Sequence, residues 1–237
     1  MEIIVCKDNN ELSSKAAELV GDILYQKENP ILGLATGSTP ERLYEILIEK
    51  NKQGDITFEH AASFNLDEYV GLAGTDPNSY RYFMDEHLFN HIDIKKERTH
   101  IPDGLSKDME AACKNYEEQI KSAGQVDLQI LGLGLNGHIG FNEPGTDFAG
   151  RTRVVELDET TREANARFFN SIDDVPTQAI TMGIASIMEA EQIVLLVQGE
   201  KKAAILKEVI NGEVTNQVPA SVLQRHPNVT VLTDVNL

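Results

Sequence analysis

The segment at residues 128–145, LQILGLGLNGHIGFNEPG, carries the side chains best suited to chemistry. Its apolar first half is typical of a buried strand, and the glycines after it indicate a loop that exposes backbone groups. His138 and Glu143 lie in this loop, close in sequence to Asn136 and Asn142. An imidazole that titrates near neutrality beside a carboxylate is a candidate acid–base pair. The alternative is a capped turn whose histidine satisfies backbone carbonyls, but the dense polar cluster behind a strand favours catalysis.

Three glycines of the same segment form the pattern G-x-G-x-x-G, which also occurs in dinucleotide-binding folds. That fingerprint requires a helix to begin at the third glycine, Gly137, so that the helix N-terminus faces the pyrophosphate. The sequence Asn142-Glu143-Pro144-Gly145 would interrupt such a helix within two turns. We therefore expect the glycines to shape a loop and not a dinucleotide site.

A second patch, TGSTP at residues 36–40, follows a predicted buried strand at 30–35. Glycine allows the backbone to approach a ligand, serine and threonine add hydroxyl donors, and Pro40 is predicted at the first helical position. A junction from strand to helix presents free N–H groups and the positive end of the helix dipole, which suits a phosphate. The alternative is a plain helix cap. The patch is not a P-loop, because no Gly-Lys-Ser/Thr follows it.

Two more groups of charged side chains are candidates. Asp67 and Glu68 end a predicted strand at 61–66 and are either a general base with a neighbour or a solvated turn. In a chain with 38 acidic residues, composition alone favours the solvated turn. The candidate cations are Arg167, on a predicted helix, and Lys202, just after a predicted strand. A lysine in that place could reach a site, although surface solvation is the usual role of such cations.

Composition excludes several classes of protein. The 237 residues, 41% of them apolar and 25% charged, are sufficient to bury a core without disulfides. The net charge of −17 argues against a nucleic-acid partner, which requires a basic surface. No apolar run approaches the ~20 residues of a membrane span, and the N-terminus lacks the order of a signal peptide. With only two cysteines, the sequence predicts a cytoplasmic protein without disulfides.

Strand and helix patterns alternate along the chain, which predicts a mostly parallel sheet. We expect a single Rossmann-like α/β domain over residues 1–237, with a doubly wound sheet and helices on both faces. The predicted strands are 2–6, 30–35, 61–66, a central strand that begins at residue 128, 153–157, 193–197 and 229–232, with a short extended piece at 179–183. The first predicted helix is capped by Asp8 or Asn9, and the second begins at Pro40. A third predicted helix contains residue 187, and the others span 78–91, 108–123, 158–169 and 200–210.

Together, the motifs TGSTP, NLDEY and GLGLNGHIGFNEPG strongly resemble those of the glucosamine-6-phosphate deaminase family, the glucosamine/galactosamine-6-phosphate isomerases. The resemblance covers nearly the whole chain, including SYRYF at residues 79–83, and GHIGFNEP is its most specific part. It implies that D-glucosamine 6-phosphate and water give D-fructose 6-phosphate and ammonia, with no organic cofactor and no metal.

The resemblance also implies site residues. Asp67 matches the base that moves a proton between C2 and C1 of the opened sugar, His138 the ring-opening acid/base, and Glu143 the carboxylate that assists it. The phosphate-binding positions are matched by Gly37, Ser38, Thr39, Arg167 and Lys202. Many members carry Asp at the position of Asn136. The side chain of Asn136 can orient the imidazole of His138 but, unlike Asp, cannot stabilise the protonated imidazole by charge.

Two alternatives and one regulatory expectation remain. A 6-phosphogluconolactonase would share the fold and would not need Asp67, whereas a non-catalytic sugar-phosphate-binding regulator would have lost Asp67 or His138. Long family members are hexamers activated by N-acetylglucosamine 6-phosphate. This chain ends soon after its last predicted strand, and Val155 replaces a basic side chain two residues after Arg153. We therefore expect no such activation and a monomer or small homo-oligomer.

Overall fold

The computed structural model describes residues 1–157, 162–163, 166, 169 and 171–236. Its strands are β1 Glu2–Val5, β2 Ile31–Leu34, β3 Ala62–Asn65, β4 Asp67–Tyr69, β5 Thr99–His100, β6 Leu128–Gly132, β7 Arg153–Glu156, β8 Gln178–Thr181, β9 Gln192–Val197 and β10 Val229–Thr233. Its α-helices are α1 Asn9–Gln26, α2 Glu41–Gln53, α3 Tyr80–His87, α4 Met109–Ala123, α5 Ile184–Ile187 and α6 Ala203–Asn211. No helix in these described residues is long and apolar enough to cross a membrane.

Seven strands form one sheet in the order β1-β10-β9-β6-β2-β3-β5, and every neighbouring pair is parallel. The inner strands are continuous apolar runs, such as QIVLLV in β9, because both faces of a parallel sheet are covered. Strand β1 lies at an edge and is largely exposed. The predicted fold class, a mostly parallel Rossmann-like sheet, is confirmed.

The path of the chain through this sheet reverses between β2 and β6. From β2 the chain moves outward through β3 to β5, and from β6 it moves in the opposite direction through β9 to β10. Since crossovers between parallel strands are right-handed, opposite directions place the connecting helices on opposite faces. The loops after β2 and β6 therefore diverge at the carboxyl ends of adjacent strands, the usual place for a ligand crevice in such folds.

A second, antiparallel sheet has the order β4-β8-β7 and was not predicted. A single residue, Leu66, separates β3 of the large sheet from β4 of the small one. The N–H of Leu66 donates to the carbonyl of Leu34 (3.1 Å), and its carbonyl accepts from the N–H of Met182 (2.6 Å). Leu66 thus joins the two sheets through its own backbone.

The observed elements differ from the predicted ones in a few places. The predicted helix 78–91 is divided into α3 and a 3₁₀ turn, Phe89–His91, because Leu88 leaves the helical region with φ of −147°. The predicted helix 200–210 likewise begins with a 3₁₀ turn, Glu200–Lys202. The predicted helix 158–169 lies largely outside the described residues, and so does Arg167.

Candidate active site

The loop after β2 contains the predicted phosphate patch. Gly37 has a φ of +92°, a left-handed conformation that favours glycine. Helix α2 begins one residue later than predicted, and Pro40 is its N-cap and not its first residue. The buried hydroxyl of Tyr44 in α2 donates to the carbonyl of Ala35 (2.5 Å), which ties the start of this loop to the helix that follows it. The loop therefore has a fixed shape at the carboxyl end of β2.

Asp67 and Glu68 are buried, so the solvated turn that composition favoured is wrong. Asp67 is 7% exposed and Glu68 3%, because both belong to β4, where Asp67 is paired with Thr181 of β8. Burial, and then the neighbouring charge of Glu68, raise the pKa of Asp67 from 3.8 to about 8. A carboxyl group with such a pKa can take up and release a proton near neutral pH.

The loop after β6 carries the predicted histidine. A Cβ atom on Gly134 would lie 2.3 Å from the ring of His138, so the imidazole packs directly on this glycine. The N–H of Gly134 also donates to the carbonyl of His138 (2.9 Å). No helix begins at Gly137, and residues 133–152, all of which are described, contain none. The glycines thus shape the loop around His138, as expected.

Asn136 joins His138 to Glu143. Asn136 Oδ1 accepts from the backbone N–H of His138 (3.2 Å) and lies 2.7 Å from its Nδ1, while Asn136 Nδ2 donates to Glu143 Oε2 (2.7 Å). Because a backbone N–H can only donate, Oδ1 is an acceptor, and His138 Nδ1 carries the proton. Nε2 of the neutral ring is then the proton acceptor. Glu143 Oε2 lies 3.4 Å from Nδ1, where its charge stabilises a protonated ring.

Asn142 anchors the same loop from within the core. Its side chain is fully buried, and its Nδ2 donates to the carbonyls of Ile139 and Met182, both at 2.9 Å. Its Oδ1 accepts from the guanidinium of Arg153 on β7 (3.0 Å). The loop that carries His138 is therefore fixed to two strands of the small sheet, to the end of β8 through Met182 and to β7 through Arg153.

Lys202 is the cationic side chain that reaches this site among the described residues. It lies in the 3₁₀ turn after β9, where burial lowers its pKa and the charge of Asp234 opposes that shift. Its neighbour Lys201 is exposed. An ammonium group that is partly desolvated in this way binds an anion more strongly than a surface lysine does.

These elements enclose one cavity of about 570 Å³ at the carboxyl ends of β2, β3 and β6. Of the predicted site residues, those that line it are Gly37, Ser38, Thr39, Asp67, Asn136, His138 and Lys202. Glu143 is absent from this lining and contacts His138 and Asn136 instead. Arg167 lies outside the described residues. Within the described ranges, no three His, Cys, Asp or Glu side chains are grouped to hold a metal ion.

One residue of the cavity was missed by the motif analysis, and the role of another residue was left open. Tyr80, at the start of α3, lines the cavity, and Glu68 is buried beside Asp67. Tyr80 occurs in the SYRYF motif, which gave no chemical reason to select it. The sequence placed Glu68 either beside a general base or in a solvated turn and could not decide its burial, because its partners Tyr80 and Arg81 are distant along the chain.

The model of the family described as glucosamine-6-phosphate isomerases/6-phosphogluconolactonase matches residues 8–232. The chain belongs to this family. A glucosamine-6-phosphate deaminase of Shouchella clausii is 53% identical over 234 residues, which cover 99% of this chain and 95% of the relative. A deaminase of Thermoanaerobacter pseudethanolicus is also 53% identical, covering 99% of this chain and 92% of its own.

Solved structures within the family differ in how near they are to this chain. A monomeric glucosamine-6-phosphate deaminase has a TM-score of 0.96 and 47% identity, covering 98% of this chain and 97% of its own. A 6-phosphogluconolactonase of Thermotoga maritima has a TM-score of 0.78 and 23% identity, covering 99% of both chains. The second likeness shows the fold alone.

Proposed function

We propose that this chain converts D-glucosamine 6-phosphate and water to D-fructose 6-phosphate and ammonia. The observation that carries the proposal is that Asp67 lies in the same cavity as His138 and the loop at residues 36–40. A lactone hydrolase would not need a buried carboxyl group at this position. The named deaminases that are about half identical over nearly the whole chain support the same reaction.

The sugar phosphate is held by its phosphate group at the carboxyl end of β2. Backbone N–H groups of the Gly37–Ser38–Thr39 turn and the hydroxyls of Ser38 and Thr39 donate to the phosphate oxygens, and Lys202 supplies a positive charge. We assign Arg167 the same role on the strength of the resemblance alone. Anchoring the far end of the substrate positions C1 and C2 at the reacting groups.

Ring opening is assigned to His138. Nε2 of the neutral imidazole takes the proton of the C1 hydroxyl and returns a proton to the ring oxygen, so that the pyranose opens to an aldehyde. Between these two transfers the imidazole of His138 is positively charged. Asn136 holds Nδ1 in place (2.7 Å), and the carboxylate of Glu143 lies 3.4 Å away, where it stabilises that charge.

Isomerisation and deamination are assigned to Asp67. Its carboxylate removes the proton from C2 of the open chain, while O1 of the aldehyde takes a proton from the ammonium group at C2, which gives a neutral enolamine with a C1–C2 double bond. The protonated Asp67 then delivers its proton to C1. The result is an iminium at C2; water adds there and ammonia leaves, giving fructose 6-phosphate. Because the pKa of Asp67 is raised to about 8, the carboxylate is a stronger base than an ordinary aspartate.

We infer that the chain acts in the cytoplasm as a monomer or small homo-oligomer. Cys6 and Cys113 are both buried and unpaired, which suits a reducing compartment. The solved deaminase with a TM-score of 0.96 is described as monomeric. Light scattering of the purified chain measures its state of association directly, and a hexamer would contradict this inference.

A coupled assay tests the proposed reaction. The purified chain should release fructose 6-phosphate and ammonia from glucosamine 6-phosphate in equal amounts. Unphosphorylated glucosamine should be a very poor substrate, because it lacks the group that the 36–40 loop binds. Hydrolysis of 6-phosphogluconolactone without ammonia release from glucosamine 6-phosphate would instead identify a lactonase.

A further inference from the structure

Glu68 is a buried carboxylate next to Asp67 that lies outside the substrate cavity. Successive side chains of a strand point to opposite faces, so Asp67 lines the 570 Å³ cavity while Glu68 lines a smaller one of about 290 Å³. With 3% of its surface exposed, Glu68 requires polar partners, because a buried charge without them is very costly.

Its partners are backbone N–H groups at the start of α3. Glu68 Oε1 accepts from the N–H groups of Tyr69 (2.8 Å) and Tyr80 (2.9 Å), and Oε2 accepts from that of Arg81 (3.0 Å). Tyr80 and Arg81 are the first two residues of α3, whose N–H groups have no acceptor within the helix. One carboxylate therefore fastens β4 to the N-terminus of α3.

That connection determines the position of two groups in the substrate cavity. Asp67 precedes Glu68 on the same three-residue strand, and Tyr80 forms part of the cavity wall. The ring of Tyr80 lies 4.8 Å from that of Tyr69 and is stacked on Phe141 of the His138 loop, with centroids 6.2 Å apart and an interplanar angle of 12°. A change in the spacing of β4 and α3 would move both Asp67 and this aromatic wall.

We propose that Glu68 is a positioning residue, which holds Asp67 and Tyr80 in register across the cavity for the proton transfer at C2. This role rests on the function proposed above. Glu68 does not contact the substrate and acts through Asp67. Burial raises the pKa of Glu68 itself, and its hydrogen bonds from the three backbone N–H groups oppose that shift. The negative charge of ionised Glu68 opposes ionisation of Asp67, so the proton remains on that carboxyl group to a higher pH.

The other charged or titratable groups around Asp67 act differently. Three tyrosines lie near it: Tyr69 on β4, Tyr80 on α3 and Tyr116 on α4. Burial raises the pKa of Tyr69 to about 12 and those of Tyr80 and Tyr116 well above their usual value, so these phenols stay neutral near neutral pH. On β8 the residue paired with Asp67 is Thr181, which does not titrate. The remaining groups are His138 on the loop after β6, Lys202 after β9 and Arg153 on β7.

The test compares Glu68→Gln with a control on the same helix. Ser79→Ala removes the other cap of α3, in which Ser79 Oγ accepts from the N–H of Tyr82 (3.0 Å), but leaves β4 untouched. In Glu68→Gln the new NH₂ group faces a backbone N–H, so at least one of the three hydrogen bonds is lost. We expect kcat for glucosamine 6-phosphate to fall by roughly tenfold or more with little change in KM. The rising limb of the pH profile of kcat/KM should also move to lower pH.

The control and a second variant separate this role from a general loss of stability. Ser79→Ala should lower the thermal midpoint while keeping the wild-type kcat and pH profile. Glu68→Asp keeps the charge but is one methylene too short, so kcat should fall while the pH midpoint stays near that of the wild type. Glu68→Asp therefore also decides the question if Glu68→Gln does not fold.

Two results would overturn the proposal. One is a kcat of Glu68→Gln, or of Glu68→Asp, equal to that of the wild type. The other is a fall in kcat that is equally large in Glu68→Gln and in Ser79→Ala, with the pH midpoint of Glu68→Gln unchanged. Wild-type chain that releases no ammonia from glucosamine 6-phosphate would reject the proposed function and this role with it, whereas an active wild type with an unaffected Glu68→Gln rejects only the role.

Discussion

The raised pKa of Asp67 should make the free energy of unfolding fall as the pH rises toward 8. Burial, and then the charge of Glu68, move the pKa from 3.8 to about 8, so the folded chain binds this proton more tightly than the unfolded chain. The stabilising contribution is complete below about pH 4 and is lost as the pH rises through about 8. Asp67→Asn removes the titrating group and should remove this pH dependence.

The magnitude follows from the distance between the two pKa values. One pKa unit corresponds to about 1.4 kcal/mol, and the interval from pH 5 to pH 8 lies between them. Over that interval the free energy of unfolding of Asp67→Asn should rise relative to the wild type by roughly 3–4 kcal/mol. A typical domain has only ~5–15 kcal/mol in total. The same variant should lose several orders of magnitude in kcat, because the proposed base is gone while substrate binding survives.

Urea denaturation of both chains from pH 5 to pH 8 measures this difference. Asp93→Asn is the matched control, because its pKa is shifted the other way: partial burial opposes the shift, but hydrogen bonds from Thr57, from the N–H of Phe58 and from Asn51 lower it. Its effect on stability should therefore be constant across this interval. Equal pH dependence in the wild type and in Asp67→Asn would refute the argument from burial, and near-wild-type turnover in Asp67→Asn would refute the assigned base.

Three further predictions concern the same site. His138→Gln should slow turnover of cyclic glucosamine 6-phosphate more than that of substrate supplied in the open-chain form; equal losses in steady-state assays of both forms would contradict a role in ring opening. Lys202→Ala should raise KM for the phosphorylated sugar through a loss of ~1.5–3 kcal/mol, whereas KM of the exposed neighbour's variant, Lys201→Ala, should stay at the wild-type value; a similar rise in both would show that general charge is responsible. N-acetylglucosamine 6-phosphate should not activate the chain, since Arg153 already binds the side chain of Asn142 and Val155 packs in an apolar cluster; a sigmoidal rate curve that this compound makes hyperbolic would disprove it.

The large sheet was predictable because its strands carry their own signal. Strands β2, β6, β9 and β10 are apolar runs with turn residues around them, a pattern that a buried parallel strand produces locally. The small sheet was not predictable. The sequence of β4 is DEY, with two acidic residues in three, and its pairing partner β8 lies more than one hundred residues away.

The candidate site shows the same division. The glycine-rich loops were found because their geometry requires glycine, which is visible in the sequence. Gly37 has a positive φ, and Gly134 leaves room for the ring of His138. The burial of Glu68 could not be found, since it depends on N–H groups of Tyr80 and Arg81 that only the fold brings near. The catalytic role of Asp67, the phosphate-binding role of Arg167 and the single domain over residues 1–237 stay predictions.

Leu66 determines how the protein should lose activity on heating. Its N–H and carbonyl bond to Leu34 on one sheet and to Met182 beside the other, so neither sheet can shift without breaking a buried backbone hydrogen bond. The two sheets should therefore open as one cooperative unit, and the amide hydrogens of Leu66 and Met182 should be among the slowest in the chain to exchange with solvent. Since the proposed base lies on one sheet and the phosphate loop on the other, the distance between them is preserved until the whole chain unfolds. Thermal inactivation should then coincide with global unfolding.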